Sequence, residues 1–427
     1  MSLAFFAPTT SAQNLTDDQL GIISARLAES ALESWELGTR SQAILELNAT
    51  RYSVFSNNPL PPPTEIPSNL TSVLTPFFNI SKSIVSGRAR LNDNTQGAQP
   101  LIPDGSAADP ASNGMGALIA NWTGQDRGQV DYAGAAKDQL DFLYQNVPKT
   151  SDGALSHRVS QVQLWSDFVY MVPPFLAYYG VVSQNRTLLE DAYTQIKLYR
   201  NYLRDSKANM WKHVLLGTSG NDEGFWSTGN GWAAAGMLRV LATIKQSEFA
   251  NSMKNEQKDL GAWTREILDG IYPHADPSTS LFTNYADQPA TADGNFLDAA
   301  STALVAAATF RLAVLWNDVK HVPNAEKARV ALFSPANNAS DSGNSTSSLN
   351  GFQHLTSEGW LTPVVNPHSY GEQGKESPEG QAFVVDLHSA WRDWVADGAK
   401  GANAAARMKA GAGTIGTVLG FVLLMVL

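Results

Sequence analysis

Apolar residues recur at three- and four-residue intervals in one segment after another, and clusters of Gly, Pro, Asn and Asp separate the segments. LTDDQLGIISARLAESALESW opens with Thr16 as a cap and acidic residues in the first turn, which predicts a helix start. Helical periods follow in YAGAAKDQLDFLYQNV, QLWSDFVYMVPPFLAYYG, TLLEDAYTQIKLYRNYLRD, GWAAAGMLRVLATI, LGAWTREILDGIY, FLDAASTALVAAATFRLAVLW and GQAFVVDLHSAWRDWVADG. No run of alternating strand residues competes with them. Several segments are apolar on more than one face, 296–316 above all, and a helix in a single surface layer is not. An all-α fold follows, with such helices in the inner ring of a double-layered helical barrel. A helical solenoid is the alternative, but the chain shows no fixed repeat period. The Pro-rich stretch 57–67 reads as a surface loop and the polar stretch 334–348 as an insertion.

Composition narrows the chemistry. The chain has 427 residues, a net charge of −10 and no basic cluster, which argues against nucleic acid as a partner. It has no cysteine, so disulfides, thiolate nucleophiles and Cys-based zinc sites are excluded. Its seven histidines show no H-E-x-x-H or other metal spacing. No G-x-S-x-G elbow or phosphate-binding loop occurs, and NGMGALIAN reads as a helix start, so neither metal nor cofactor is expected.

Eight N-x-S/T sequons, at Asn14, Asn48, Asn69, Asn79, Asn121, Asn185, Asn338 and Asn344, point to a glycosylated protein of the secretory route. The C-terminal stretch GANAAARMKAGAGTIGTVLGFVLLMVL places small residues before an apolar tail. That is the layout of a GPI-attachment signal, with Asn403 as the expected site and Gly401 and Ala402 beside it; a short C-terminal membrane helix is the alternative. The opening MSLAFFAPTTSAQ reads as a truncated signal segment with its true start upstream. The expected organisation is a signal segment at 1–12, one barrel domain at 13–400 and the anchoring segment at 401–427. The expected location is the outer face of the plasma membrane or a cell wall.

The stretch GFWSTGNGW brackets small residues with Trp226 and Trp232. In one reading both tryptophans are core and Gly229-Asn230-Gly231 turns the chain between them. In the other, the turn lies at a barrel mouth and an indole forms a platform for a sugar face. Upstream, Asp167 and Met171 are four residues apart in an apolar helical pattern. A carboxylate there is either capped or paired, or it has a raised pKa and serves as a general acid.

Taken together, DGALSHR…WSDFVYMVPPFLAYYG, Trp211–Lys212–His213, GFWSTGNGW, GNFLDAASTALVAAATFRLA and SPEGQAFVV resemble the unsaturated glycuronyl hydrolases. The closest pattern is that of the unsaturated rhamnogalacturonyl hydrolases of glycoside hydrolase family 105, with the related family 88. The five blocks agree in order and spacing over about 114–396. The resemblance implies an (α/α)6 barrel, the six-hairpin glycosidase toroid. It also implies hydration of the C4=C5 bond of an unsaturated uronic acid at the non-reducing end of pectin-derived oligosaccharides. On that resemblance Asp167 is the catalytic carboxyl, Trp165 and Met171 line its pocket, His157 and His213 contact the substrate, Trp232 stacks on the sugar and Trp226 forms wall.

Two departures stand out. Where family members read W-x-R-G-N-G-W, with an Arg able to hold a uronate carboxylate, this chain has Thr228. A hydroxyl cannot replace a bidentate guanidinium. The family's second acidic residue, upstream of His157, has three counterparts here: Asp104, Asp109 and Asn113. These departures point to an altered substrate or a weakened enzyme. Two other readings follow from them. One is a GPI-anchored glycosidase or transglycosidase on cell-wall polysaccharide, with Asp222 or Glu223 as its second carboxylate. The other is a non-catalytic carbohydrate-binding surface protein.

Overall fold

A computed structural model describes residues 14–335 and 348–402. The signal segment, the tail from Asn403, the sequons Asn338 and Asn344 and most of the polar insertion lie outside the described residues.

Among the described residues there are twelve α-helices: α1 (Asp17–Ser30), α2 (Ser34–Asn48), α3 (Ser68–Leu91), α4 (Gly114–Trp122), α5 (Tyr132–Gln145), α6 (Phe168–Val182), α7 (Arg186–Leu203), α8 (Ser227–Gln246), α9 (Lys254–Ile271), α10 (Ala299–Trp316), α11 (Val322–Leu332) and α12 (Pro378–Ala396). The even-numbered helices pack side by side into a ring that closes through α12 against α2, and odd-numbered helices pack outside it. The apolar pattern sorts them. Helices α6, α8 and α10 are buried nearly all round. Outer helix α7 buries one stripe, Leu189, Ala192, Ile196, Tyr199 and Leu203, and leaves its other face polar. Helix α10 is long and apolar enough to cross a membrane, but 89% of it is buried in the barrel wall, so its hydropathy is that of an inner-ring element.

Two local expectations are corrected, and two helices are added to those the pattern predicts. The first amphipathic segment is two helices, because Glu36 reaches back to accept the Leu32 and Glu33 backbone N–H groups at 2.8 and 2.9 Å and so starts α2 afresh. Helices α3 and α11 were not legible from period; α3 carries Pro76 and a Ser/Asn/Thr-rich exposed face. Finally, Gly229-Asn230-Gly231 is not a turn but the start of α8. A Cβ at Gly231 would come within 2.9 Å of Leu304, and one at Gly229 within 2.4 Å of the Ser166 hydroxyl, so these glycines let α8 seat against α10 and the chain before α6.

Short strands join the loops at one end of the barrel: β1 (Leu164–Trp165) with β2 (Val214–Leu215), and β3 (Phe282–Thr283) with β4 (Leu297–Asp298). A hairpin of β5 (Val364–Asn366) and β6 (Ser369–Gly374) adds a wall there that the helical pattern did not announce. All six inner helices begin at this end. Trp35 of α2, Asp167 before α6, Trp226 before α8 and Glu379 of α12 line one cavity. The 3-10 turn Asp109–Asn113 brings Asp109 there just before α4. Asp298, which caps α10, accepts a hydrogen bond from Thr228 in the first turn of α8.

Candidate active site

The cavity at that end has a volume of about 660 Å³. The loop from α5 to β1 contributes His157 and Arg158, and β1 leads through Trp165 and Ser166 to Asp167. Met171, one turn into α6, lies beside them. Strand β2 follows His213 and pairs with β1, so the Trp165 and His213 regions are fixed against each other; Ser166 N–H donates to the His213 carbonyl at 2.9 Å. Asn230 fastens the other side. Its amide accepts from Trp211 N–H at 2.8 Å and donates to the Trp211 and Trp226 carbonyls at 3.0 Å each. The small residues of the tryptophan motif therefore hold the segment that carries His213.

Asp167 is 14% exposed and its Oδ2 lies 3.5 Å from Nε2 of His213, which is fully buried. The Ser166 hydroxyl donates to the same carboxylate at 3.1 Å. Behind the ring, His213 Nδ1 meets Asp222 Oδ2 at 2.9 Å, and Asp222 is held in turn by Tyr285 OH at 2.8 Å and Gly224 N–H at 2.9 Å. Trp226 and Tyr370 enclose the imidazole, each with its ring centre 4.4 Å away. Burial alone would raise the Asp167 pKa, but the His213 ring, with His157 further off, outweighs it and holds the carboxyl below its usual range. Burial would likewise lower His213, but carboxylates facing both nitrogens hold it above the usual imidazole range. Of the two alternatives for this carboxylate, the paired one holds: His213 faces Asp167, whose pKa is shifted down while that of His213 is shifted up.

Geometry separates the three upstream candidates. Asp109 lines the cavity, with its Oδ1 3.5 Å from His157 Nε2. Asp104 and Asn113 sit behind it on the Ser34 region: the Ser34 hydroxyl donates to Asp104, and Asn113 Nδ2 donates to the Ser34 carbonyl at 2.8 Å. Burial pushes Asp104 up to about 6. Glu379 is a further carboxyl on the cavity wall, 5% exposed, accepting from the Trp35 indole N–H at 2.5 Å. Burial first, and the nearby Glu36 carboxylate second, push its pKa well above the usual carboxyl range.

His157, Trp165, Asp167, Met171, His213, Trp226 and Trp232 are brought together around the cavity. Trp232 is only 1% exposed, wedged between Tyr170 and Phe383 with ring centres 4.3 and 4.7 Å away, so it offers an edge as floor rather than a free face. Thr228 does not reach the cavity: it is fully buried and its hydroxyl donates to Asp298 at 3.1 Å. Neither Asp222 nor Glu223 reaches it. The former stands behind His213, and the latter pairs with Lys212 at 2.5 Å at the surface. The sequence reading did not find Trp35, Arg158, Glu379 or the hairpin residues Pro367 to Glu372. Glu379 carried one usable signal, an acid in the SPEGQAFVV block at a helix start.

A family model described as Glycosyl Hydrolase Family 88 matches residues 106–353. The unsaturated rhamnogalacturonyl hydrolase YesR of Bacillus subtilis is 25% identical over 122 residues, a stretch that spans 27% of this chain and 36% of that relative's length. A family 105 glycoside hydrolase of C. acetobutylicum superposes with a TM-score of 0.64 at 13% identity, over 88% of this chain and all of that one. The unsaturated glucuronyl hydrolase of Bacillus sp. GL1 superposes with a TM-score of 0.57 at 12% identity, over 87% of this chain and 94% of the other. These likenesses bear out the (α/α)6 barrel.

Proposed function

The chain belongs to glycosyl hydrolase family 88, and from that membership and the cavity's geometry we propose that it hydrates the C4=C5 bond of an unsaturated uronic acid at the non-reducing end of pectin-derived oligosaccharides. The observation that carries this reading is the Asp167 carboxyl placed 3.5 Å from the buried His213 imidazole in a cavity of about 660 Å³. A vinyl ether is protonated on carbon and takes up water beside the ring oxygen, and one carboxyl group can do both. The bound substrate displaces water and brings a second anion beside Asp167, which shifts the shared proton from His213 towards the carboxyl. Asp167 then gives that proton to C4. The resulting carboxylate accepts a proton from water as its oxygen bonds to C5. The C5 hemiketal opens, and the former glycosidic carbon is left as a hemiacetal that releases its partner sugar. An ordinary glycosidase needs two carboxyls flanking the bond; Asp222 and Glu223, each anticipated as the second carboxylate for that chemistry, stand outside the cavity, whereas Asp109, Glu372 and Glu379 line it with Asp167.

The test is loss of the ultraviolet absorbance of the conjugated double bond when the protein meets unsaturated disaccharides from pectin and glycosaminoglycan lyases. No loss with folded protein, together with release of reducing ends from saturated wall glycans, would replace this reading with the glycosidase one.

The His213 assignment predicts a pH effect. Its raised pKa keeps the proton available below that value, and the rate falls as pH rises through it. Asp222→Asn removes one of the two carboxylates that raise it, so the alkaline limb of the kcat/KM profile is expected to move to lower pH. An unmoved limb would show that the proton is held elsewhere.

We further propose passage through the secretory route. Support comes from the sequon asparagines Asn14, Asn48, Asn69, Asn79, Asn121 and Asn185, all exposed among the described residues. Made in a secreting eukaryotic host, the protein is expected to lose mass on treatment with peptide-N-glycosidase. Asn48→Gln, Asn121→Gln and Asn185→Gln should each remove one step of that loss. A product of unmodified mass would count against this route.

A further inference from the structure

With Thr228 buried and bonded to Asp298, the position that would carry the family's carboxylate-holding Arg faces away from the cavity. The cavity wall carries four carboxyls, Asp109, Asp167, Glu372 and Glu379, and one permanently charged cation, Arg158. The Arg158 backbone is fixed: its N–H donates to the Ser156 hydroxyl at 3.0 Å, and the residue bridges Ser106 in antiparallel fashion. Ser156 is itself tied to Gln161 and Gln163, so the loop is braced from both sides. The side chain, by contrast, is unspent. Its guanidinium lies over the Trp165 ring, 5.2 Å from the centroid, and makes no ion pair or hydrogen bond among the described residues. A guanidinium seated over an indole and without a protein partner keeps its N–H donors for a ligand, in the fork that matches a carboxylate.

We propose that Arg158, supported on Trp165, is the residue that pairs with the carboxylate of the substrate's uronic acid. This assignment rests on the reading of the substrate as a uronide. It explains how the chain dispenses with an Arg at 228: the cation is supplied from the loop between α5 and β1 instead of from the start of α8. Arg158 is a specificity residue here; it takes no part in the proton transfers.

The experiment uses the full chain as wild type, Arg158→Gln and Arg158→Lys. Two readouts are taken: turnover of an unsaturated uronide disaccharide, and binding of saturated galacturonate against galactose. Thermal unfolding serves as the control for folding. The expected result is a kcat/KM lower by roughly 10- to 100-fold in Arg158→Gln, the range of a lost charged hydrogen bond. Preference for galacturonate over galactose should vanish in that variant and return in part in Arg158→Lys. A structural role for Arg158 would not move that preference. Turnover and acid preference unchanged in Arg158→Gln would overturn the assignment and leave the hydration reading intact. A wild type that consumes no unsaturated uronide but prefers galacturonate through Arg158 would overturn the hydration reading and support the assignment. A wild type with neither property would overturn both.

Discussion

Asn at position 167 is expected to lower turnover of an unsaturated uronide by about 10²–10⁴-fold, towards the upper end because one carboxyl serves both as acid and as base. The amide matches the carboxyl in shape and can still accept the Ser166 hydroxyl, so the start of α6 should remain in place. What it cannot do is take a proton from His213 Nε2, 3.5 Å away, and pass it to carbon. Its neutrality also removes one of the two anions that raise His213, so the imidazole itself should titrate lower. The measurement is the ultraviolet signal of the double bond, followed over long times at high enzyme concentration, with circular dichroism as the check on folding. A rate within tenfold of wild type would shift the acid's role to another cavity carboxyl. Glu379, whose pKa burial pushes well above the usual carboxyl range, would be the first to examine.

The second large effect is expected in the barrel wall, far from the chemistry. Arg311 of α10 is 4% exposed; its guanidinium contacts Glu46 of α2 at 2.7 Å and Asp393 of α12 at 2.5 Å. Asp386 stands nearby without a hydrogen-bond partner for its Oδ1, and burial, with Glu46 second, pushes its pKa well above the usual range. Arg311→Met keeps much of the apolar stem but leaves Glu46 buried without its cation. Removing one partner of a buried pair costs about 3–5 kcal/mol. A fall of that size is expected in urea unfolding at neutral pH. Adding Glu46→Leu should recover part of it, because an apolar pair avoids the desolvation that the lone carboxylate suffers. A double variant no more stable than Arg311→Met alone would mean that the loss is one of packing.

The helices were legible because their apolar positions repeat, and the inner ring because α6, α8 and α10 are apolar all round. Asp167 stood out as a carboxylate in an apolar helical pattern, but His157 and His213 were legible only through blocks that resemble a family, since nothing in the period around them says that they meet it. The rest of the site depends on contacts that no local pattern encodes. Trp35 touches Glu379 across 344 residues of chain, and Tyr370 reaches His213 from a hairpin with no apolar alternation. Thr228 shows the converse. Its motif position was read as a ligand contact, but the side chain at the start of α8 turns towards the α10 cap, so the departure from Arg is felt in the wall.

The parallel inner helices also fix which way the molecule faces. Helix α12 starts at the cavity with Glu379 and ends at Ala396, so at about 1.5 Å per residue its C-terminus emerges at the opposite pole. Helices α2 and α4 run the same way, which brings Asn48 and Asn121 to that pole as well, with Asn185 following the end of α6. Any tether continuing beyond Ala402 would therefore hold the molecule by its base. Its mouth would be turned outward to meet oligosaccharides arriving from solution, and sugar chains on those three asparagines would fill the gap beneath.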